Sequence, residues 1–382
     1  MRIATIDTFL VAPRWLFVRI ATDAGLIGWG EATLEGNCEA VRAAIGTFSE
    51  YLIGRDPAPI EDHWQVLTKG SFYRGGPVLS SAVAGIDQAL WDIAGRALDL
   101  PVYRLLGGPV RDRVRVYGWV GGDDPSAITE SIAAQCEAGL TAVKLNASGV
   151  TGALPSAAST AAIVERASIA RSTLGDDRDF ALDFHGRISP AAARRLIPTL
   201  EPFQPLFIEE PVLPGGDQAA LTRLVNGSST PIATGERLYS RRDFLPVLHS
   251  GVAVVQPDVA HAGGISEVRR IAALAETFDA VLAPHCPLGP IALAACLQVD
   301  FATPNVLIQE QSLGIHYNDG SDLLDYLMDT SVFAFSDGYI ARPTGPGLGI
   351  EIDEAAVRAA DARARPWRTP RWRHPDGSFA EW

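Results

Sequence analysis

The chain has 382 residues, of which 47% are hydrophobic, and a formal net charge of −13, so it can bury a large core but is poorly suited to nucleic acid or an anionic membrane. No apolar run approaches the roughly 20 residues that span a bilayer, and the N-terminus lacks the apolar core of a signal peptide, so we expect a cytoplasmic protein. The four cysteines form no CxxC pair, which disfavours a zinc ribbon and a disulfide framework.

The N-terminal third of the chain predicts a small α+β unit. Strand patterns over residues 3–11, 16–21 and 26–30 are separated by short turns and indicate an antiparallel sheet. Helical patterns then extend over 37–67, and a Gly-rich loop follows at 72–77. The next segment is a strongly amphipathic helix, whose apolar stripe consists of Val83, Ile86, Leu90, Ile93 and Ala97.

From about Val114 the pattern changes to alternating strands and helices, which is typical of a parallel sheet. Eight strand-like runs over about 200 residues suit a closed β/α barrel better than an open doubly wound sheet. No GxGxxG motif follows the first of these strands, which also disfavours a dinucleotide-binding fold. The predicted strands end near Trp119, Lys144, Asp183, Glu209, Glu236, Asp258, His285 and Glu310.

Three acidic residues lie at the ends of consecutive predicted strands. Asp183, Glu209 and Glu236 each follow a short apolar run, and the intervals from 183 to 209 and from 209 to 236 are 26 and 27 residues, one strand–helix repeat each. Because the C-terminal ends of barrel strands share one rim, these carboxylates should lie side by side. Each alone reads best as a solvated surface acid, but three in phase predict a site for a hard cation, with Mg²⁺ as the expected ion.

Further polar residues fall on the same predicted rim. Asp258 and His285 are again one repeat apart, so Asp258 can hold the imidazole in one tautomer and make His285 a base. His185 stands two residues after Asp183; along a continuing strand it would project to the same face, where it suits a general acid. Glu310 closes the ring at the eighth strand, and for this residue a solvated glutamate is an equally good reading.

The motifs around these residues closely resemble those of the mandelate racemase branch of the enolase superfamily, and within it those of acid-sugar dehydratases. The resemblance runs from Met1 to Trp382. It includes LDFHGR at 182–187, FIEEP at 207–211, APHCPLGP at 283–290 and the ending WRHPDGSFAEW at 372–382, together with residues 81–93 and 309–316.

The resemblance implies an α/β fold in two parts. A (β/α)₇β TIM-like barrel would occupy residues 114–344, and an α+β capping domain would be built from residues 1–113 and completed by the tail at about 345–382. The tail is rich in Pro, Arg and Trp, and we expect it to pack back against the N-terminal sheet. A homo-oligomer is also expected, since barrels of this kind often form symmetric assemblies.

The implied activity is the Mg²⁺-dependent dehydration of an aldonic acid, with D-galactonate as the expected substrate and a 2-keto-3-deoxy acid as the product. Asp183, Glu209 and Glu236 would bind one Mg²⁺ per subunit. Removal of a proton next to a carboxylate creates negative charge that a divalent ion can stabilise.

The same resemblance assigns a role to each remaining rim residue. His285, assisted by Asp258, would take the proton from C2, and His185 would protonate the departing C3 hydroxyl. Glu310 would hydrogen-bond the substrate carboxylate as the enediolate forms.

The second predicted strand ends in Lys144-Leu-Asn146, where many superfamily members carry Lys-x-Lys with a second base on the opposite face. Without that base, racemisation and lysine-based cycloisomerisation lose their mechanism, whereas dehydration needs one base and one acid. We expect Lys144 and Asn146 to contact the substrate, and we expect Arg14 and Trp15 of the cap to contact its distal hydroxyls.

Two alternatives stay open at this point. The chain could dehydrate a different acid sugar with the same metal site, because the distal hydroxyls meet the cap rather than the barrel rim. It could also be a non-catalytic descendant that binds a sugar acid, although the full set of ligands, base and acid argues against that reading.

Overall fold

The computed structural model describes residues 1–121 and 125–381, and its first element is the predicted antiparallel sheet. The strands β1 (Ile3–Val11), β2 (Trp15–Thr22) and β3 (Ile27–Glu31) lie in the order β1-β2-β3. Most side chains of β2 are buried, because it is the central strand with neighbours on both edges and helices on one face.

Helices cover one face of this sheet and complete an apolar core. They are α1 (Cys38–Leu52), α2 (Ile60–Lys69), α3 (Gly76–Leu98) and the short α4 (Val102–Leu105). Helix α3 lies very close to the sheet at Gly85, where a Cβ would lie 2.7 Å from the Ala32 Cβ. The predicted stripe of α3 is buried except for Ala97, which lies in the last turn and is exposed.

Within the described residues, eight parallel strands alternate with seven helices to form a barrel, so the predicted (β/α)₇β fold is confirmed. The strands are β4 (Arg113–Val120), β5 (Ala142–Asn146), β6 (Asp179–Asp183), β7 (Ile208–Glu209), β8 (Ile232–Thr234), β9 (Val254–Val255), β10 (Val281–Leu282) and β11 (Gln309–Glu310). The helices are α5 (Pro125–Glu137), α6 (Ala157–Leu174), α7 (Pro190–Leu200), α8 (Gln218–Asn226), α9 (Arg241–His249), α10 (Gly264–Glu276) and α11 (Pro290–Ala302).

The barrel closes because β4 pairs on both sides. It is parallel to β5 on one edge and to β11 on the other, where Glu310 lies opposite Tyr117. Leu282 of β10 exchanges backbone hydrogen bonds with Asn305 and Leu307, which lead into β11. The eight strand ends therefore form one continuous rim.

A layer of apolar side chains fills the barrel interior below that rim. Each strand or its immediate flank contributes one residue: Tyr117, Ala142, Ala181, Phe207, Ala233, Val254, Ala283 and Ile308. This layer is a packed floor under whatever the rim binds.

The C-terminal segment packs first on the cap and then on the barrel. Strands β12 (Phe335–Ser336) and β13 (Tyr339–Ala341) pair with each other, and β13 also pairs with β4. They are followed by helix α12 (Glu354–Asp361) and by a hairpin of β14 (Trp372–Arg373) and β15 (Phe379–Ala380). The Leu10 N–H of β1 donates to Asp361 Oδ1 at 2.7 Å. The Arg187 guanidinium lies 4.8 Å from the Trp372 ring centroid, and Trp382 lies outside the described residues.

Two short 3₁₀ turns, Glu201–Phe203 and Thr330–Phe333, complete the secondary structure of the described residues. Within residues 1–121 and 125–381, no helix is both long and apolar enough to cross a membrane.

Candidate active site

Four predicted site residues point into the barrel one level above the apolar floor. Each lies two positions after a member of that floor, and side chains two apart on a strand share a face. They are Lys144, Asp183, Glu209 and Glu310, and all four are fully buried. The alternating pattern of the strands thus concentrates charge at a closed rim.

Lys144 is the cation at the centre of this group. Its Nζ lies 2.7 Å from Glu209 Oε2, 3.0 Å from Glu310 Oε1 and 4.0 Å from Asp183 Oδ2. Burial lowers the pKa of the ammonium group, but Glu209 and Glu310 outweigh burial and raise that pKa well above its usual value. In this structure Lys144 is therefore a counter-ion of the carboxylates, while its contact with substrate stays a prediction.

Replacing Lys144 with methionine is expected to destabilise the metal-free protein. The change keeps much of the side-chain volume but leaves Glu209 and Glu310 buried without their cation, which costs about 3–5 kcal/mol of unfolding free energy. Urea titration in the presence of EDTA at pH 9, where Glu209 (pKa about 8) is ionised, measures this loss. Lys69→Met, at the exposed end of α2, is the matched control, and equal effects of the two substitutions would contradict the counter-ion role.

The predicted metal ligands lie together on the rim. One potential ligand atom each from Asp183, His185 and Glu236 lies within 4.8 Å of the others, and Glu209 is the strand partner of Asp183. Each predicted carboxylate ligand has one buried oxygen that accepts no hydrogen bond: Asp183 Oδ2, Glu209 Oε1 and Glu236 Oε2. Buried oxygens with unused acceptor capacity fit a hard divalent cation.

His185 reaches the rim by a different route from the one that the sequence predicts. Strand β6 ends at Asp183, and His185 has a φ of 50°, in the left-handed region, so strand alternation does not place it. Instead the His185 N–H donates to Asp183 Oδ1 at 2.8 Å, and the chain turns back on itself. His185 Nε2 then lies 3.2 Å from Asp183 Oδ2, and its ring stacks on Trp119.

The predicted pair of Asp258 and His285 is present. His285 Nδ1 lies 2.7 Å from Asp258 Oδ2, and Nε2 faces Glu236 Oε2 at 3.3 Å. Both residues lie three positions beyond their strands and are joined by an isolated β-bridge.

His261 also lies near this pair but was not predicted from the sequence. Its Nε2 is 3.7 Å from Asp258 Oδ2, and its position three residues after Asp258 was the only sequence feature that could have indicated this contact.

Glu310 is not a solvated strand-end glutamate. It is fully buried, Oε1 accepts a hydrogen bond from Trp119 Nε1 and lies next to Lys144, and Oε2 accepts the Cys286 N–H at 2.8 Å. These donors fix the carboxylate beside His285, whose neighbour along the chain is Cys286. Its contact with a substrate carboxylate stays a prediction.

Of the other residues predicted to contact the substrate, Asn146 lies at the rim, whereas Arg14 and Trp15 lie in the cap and not on the rim. Asn146 is the last residue of β5, opposite Asp183, and its buried Oδ1 accepts no hydrogen bond. Arg14 instead ion-pairs with Glu35 and donates to the Pro287 carbonyl (2.7 Å) and to Asn318 Oδ1 (2.6 Å). Trp15 is fully buried between Phe17 and Tyr326. The structure thus places Asn146 at the carboxylates, and Arg14 and Trp15 in the contact between cap and barrel loops.

Sequence reasoning also missed Arg237, which is in contact with the rim. Its Nε lies 3.2 Å from Glu236 Oε1 and its Nη2 lies 2.7 Å from Glu210 Oε2. Its position next to Glu236 in the chain was the only signal.

The charges of the rim shift the pKa values of its groups in opposite directions. Burial raises the pKa of Glu209 to about 8, with Asp183 adding to the effect, and burial raises that of Asp183 to about 6. Burial lowers the pKa of His185 to about 3, although Glu236 opposes this. Burial also lowers the pKa of His285, but Glu236, Glu310 and Asp258 outweigh it and raise the value to about 10. A dication at Glu236 would reduce that effect and favour the neutral His285 that a base requires.

Two family matches cover most of the chain. Residues 5–107 match the N-terminal domain of the mandelate racemase / muconate lactonizing enzyme family, and residues 127–356 match the enolase C-terminal domain-like family. The chain belongs to the mandelate racemase/muconate lactonizing enzyme family of the enolase superfamily.

Individual members of this family resemble the chain along its whole length. A D-galactonate dehydratase from Ralstonia nicotianae is 52% identical and one from Pectobacterium atrosepticum is 51% identical, each over 100% of both chains. A crystal structure of an enolase from Agrobacterium radiobacter, with Na and L-malate bound and an ordered active site, superposes with a TM-score of 0.91 and 35% identity over 100% of both chains. The α/β barrel with its N-terminal cap is thus shared with enzymes of this family.

Proposed function

We propose that this member of the family is a D-galactonate dehydratase that converts D-galactonate to 2-dehydro-3-deoxy-D-galactonate. The observation that carries the proposal is the rim geometry: the His285–Asp258 pair and His185 both face the carboxylates Asp183 and Glu236. One base and one acid beside a group of carboxylates suit the removal of a proton and a hydroxide from adjacent carbons. The D-galactonate dehydratases that are about half identical to this chain supply the substrate assignment.

His285 would take the C2 proton on Nε2. Its Nδ1 is held by Asp258, so the other ring nitrogen is the one directed toward the rim. Abstraction would leave an enediolate, whose two C1 oxygens would carry negative charge near Lys144 and next to Glu310.

His185 would then protonate the C3 hydroxyl as the C–O bond breaks, and the resulting enol would tautomerise to the 2-keto acid. The pKa of about 3 leaves His185 neutral in the substrate-free site at pH 7. The required proton must therefore reach His185 in the substrate complex before the C–O bond breaks.

Asp183, Glu209 and Glu236 are the residues that would hold Mg²⁺, because each carries a buried oxygen with unused acceptor capacity. When bound, Mg²⁺ would supply the positive charge that stabilises negative charge developing on the substrate oxygens.

Divalent-ion binding is expected to release protons and to strengthen with increasing pH. At pH 7, Glu209 (pKa about 8) and His285 (pKa about 10) are mainly protonated in the free site, and a cation favours their deprotonated forms. We expect the release of about one proton or more per Mg²⁺ at pH 7, and binding at pH 6 that is roughly 50-fold or more weaker than at pH 8. Titration calorimetry in two buffers of different ionisation enthalpy measures both quantities, and a pH-independent affinity would contradict this metal assignment.

We also propose that the enzyme acts in the cytoplasm on a small-molecule acid sugar, as a homo-oligomer. All four cysteines are free, which suits a reducing compartment. Phe72 and Tyr73 are 89% and 81% exposed, and they supply apolar surface that a subunit contact would bury. Size-exclusion chromatography with light scattering tests this assembly, and a monomer would contradict it.

A panel of aldonic and aldaric acids, scored by the formation of 2-keto-3-deoxy products, tests the substrate. We expect turnover of D-galactonate to exceed that of every other acid in the panel. If another acid were turned over faster, the proposed mechanism would stand and the substrate assignment would change to that acid. If no acid were turned over, the result would favour a non-catalytic protein.

A further inference from the structure

Arg237 connects the ends of three consecutive barrel strands. Its Nη2 donates to the His185 backbone carbonyl at 2.6 Å and lies 2.7 Å from Glu210 Oε2, while its Nε lies 3.2 Å from Glu236 Oε1. His185 follows β6, Glu210 follows β7 and Glu236 follows β8. One guanidinium group thus contacts all three loops.

Two of these loops have unfavourable backbone conformations. His185 and Glu210 have φ values of 50° and 38°, in the left-handed region that residues other than glycine rarely adopt. Such residues persist only where surrounding contacts hold them. The Gly186 N–H donates to the Glu210 carbonyl at 2.8 Å, so the two turns are also joined to each other, and Arg237 contacts both.

Glu210 is suited to hold Arg237 in this orientation. It is fully buried next to Glu209, and its Oε2 lies 2.7 Å from Arg237 Nη2. Neither Glu210 oxygen accepts a hydrogen bond, so Glu210 attracts the guanidinium group through charge. Arg237 is about one-third exposed and lines a cavity of about 990 Å³ between cap and barrel. Without Glu210, the Arg237 side chain would have space to turn into that cavity and leave the His185 carbonyl.

We propose that Arg237, held by Glu210, is a positioning residue for His185, and that it fixes the turn that directs the imidazole at the leaving C3 hydroxyl. This inference rests on the proposed function, in which His185 is the leaving-group acid. His285 is held separately by Asp258, so Arg237 matters for loss of the hydroxyl more than for removal of the C2 proton.

The test compares two rates in Arg237→Gln and wild type: release of deuterium from C2-deuterated D-galactonate, and formation of the keto acid. We expect keto-acid formation to fall about 10²-fold, while release from C2 changes by no more than about threefold. Mn²⁺ affinity, measured by electron paramagnetic resonance without substrate, is not expected to weaken by more than about threefold, because the three carboxylate ligands are retained and the loss of the Arg237 charge lowers the repulsion of a cation. Arg241→Gln, four residues on and paired with Glu267, is the matched control and should leave both rates unchanged.

Three further variants separate positioning from charge. Arg237→Lys keeps the charge but loses the planar fork, so it should remain impaired, and Glu210→Gln should show the same selective loss to a smaller extent. In a His185→Asn background, Arg237→Gln should cause little further loss, because both changes act through one imidazole.

Several results would overturn the inference. Arg237 would have a different role if Arg237→Gln lowered both rates equally or lowered neither. The same conclusion would follow if Arg237→Lys were fully active, or if Arg237→Gln bound Mn²⁺ at least about tenfold more weakly. A wild-type enzyme inactive on every acid sugar would instead overturn the proposed function, and the inference with it.

Discussion

Replacing His285 with asparagine is expected to abolish both dehydration and exchange of the C2 proton with solvent deuterium. His285 is the ring that Asp258 holds at 2.7 Å with its second nitrogen directed at the rim, and asparagine keeps a polar side chain but cannot accept the proton. The loss of a positioned general base, with the hydrogen-bonded pair around it, predicts a decrease in kcat of about 10⁴-fold. Proton NMR in D₂O follows exchange and product formation in one sample.

His249→Asn is the matched control for this substitution. His249 ends helix α9, is exposed and lies outside the rim, so kcat should be unchanged. C2 exchange that continues at the wild-type rate in His285→Asn would show that another group takes the proton.

Replacing His185 with asparagine is expected to separate the two halves of the reaction. The leaving C3 hydroxyl loses its acid, so keto-acid formation should fall by about 10²–10⁴-fold. Proton removal by His285 does not require His185, so some C2 exchange should survive. The same NMR experiment measures both, and the ratio of exchange to product is the informative quantity.

Loss of exchange together with product in His185→Asn would contradict a role confined to the leaving group. It would mean that elimination is concerted or that His185 also holds the substrate. The position of His185, 3.2 Å from Asp183 and within 4.8 Å of the other potential ligand atoms, makes this distinction necessary.

Much of the fold could be predicted from the sequence because the barrel repeats one pattern. Apolar runs spaced about one strand–helix unit apart fixed the number of strands, and alternation along each strand directed Lys144, Asp183, Glu209 and Glu310 to one face. The ends of the short strands were less predictable. Asp258 and His285 lie three residues beyond β9 and β10, where only an isolated β-bridge between these two residues continues the backbone pairing.

The sequence predicts His185 and Arg14 as site residues, but it does not predict how His185 reaches the rim, what Arg14 contacts, or that Arg237 and His261 belong to the site, because these features depend on turns and long-range contacts. His185 reaches the rim through a left-handed turn, a conformation that histidine adopts too rarely for a pattern to predict it. Arg237 and His261 acquire their partners only when separate loops meet. Arg14 has a buried guanidinium whose partners are up to about 300 positions away in sequence, so its contacts with Pro287 and Asn318 left no local signal.

Formation of the keto acid from D-galactonate, measured with Mg²⁺, after removal of metal by EDTA and after Mg²⁺ is added back, tests the central claim most directly. The carboxylates Asp183, Glu209 and Glu236 and the His285–Asp258 pair predict turnover with Mg²⁺, loss of turnover with EDTA and recovery on re-addition. Undiminished turnover in EDTA would contradict the metal site, and absence of turnover with Mg²⁺ would contradict the proposed reaction.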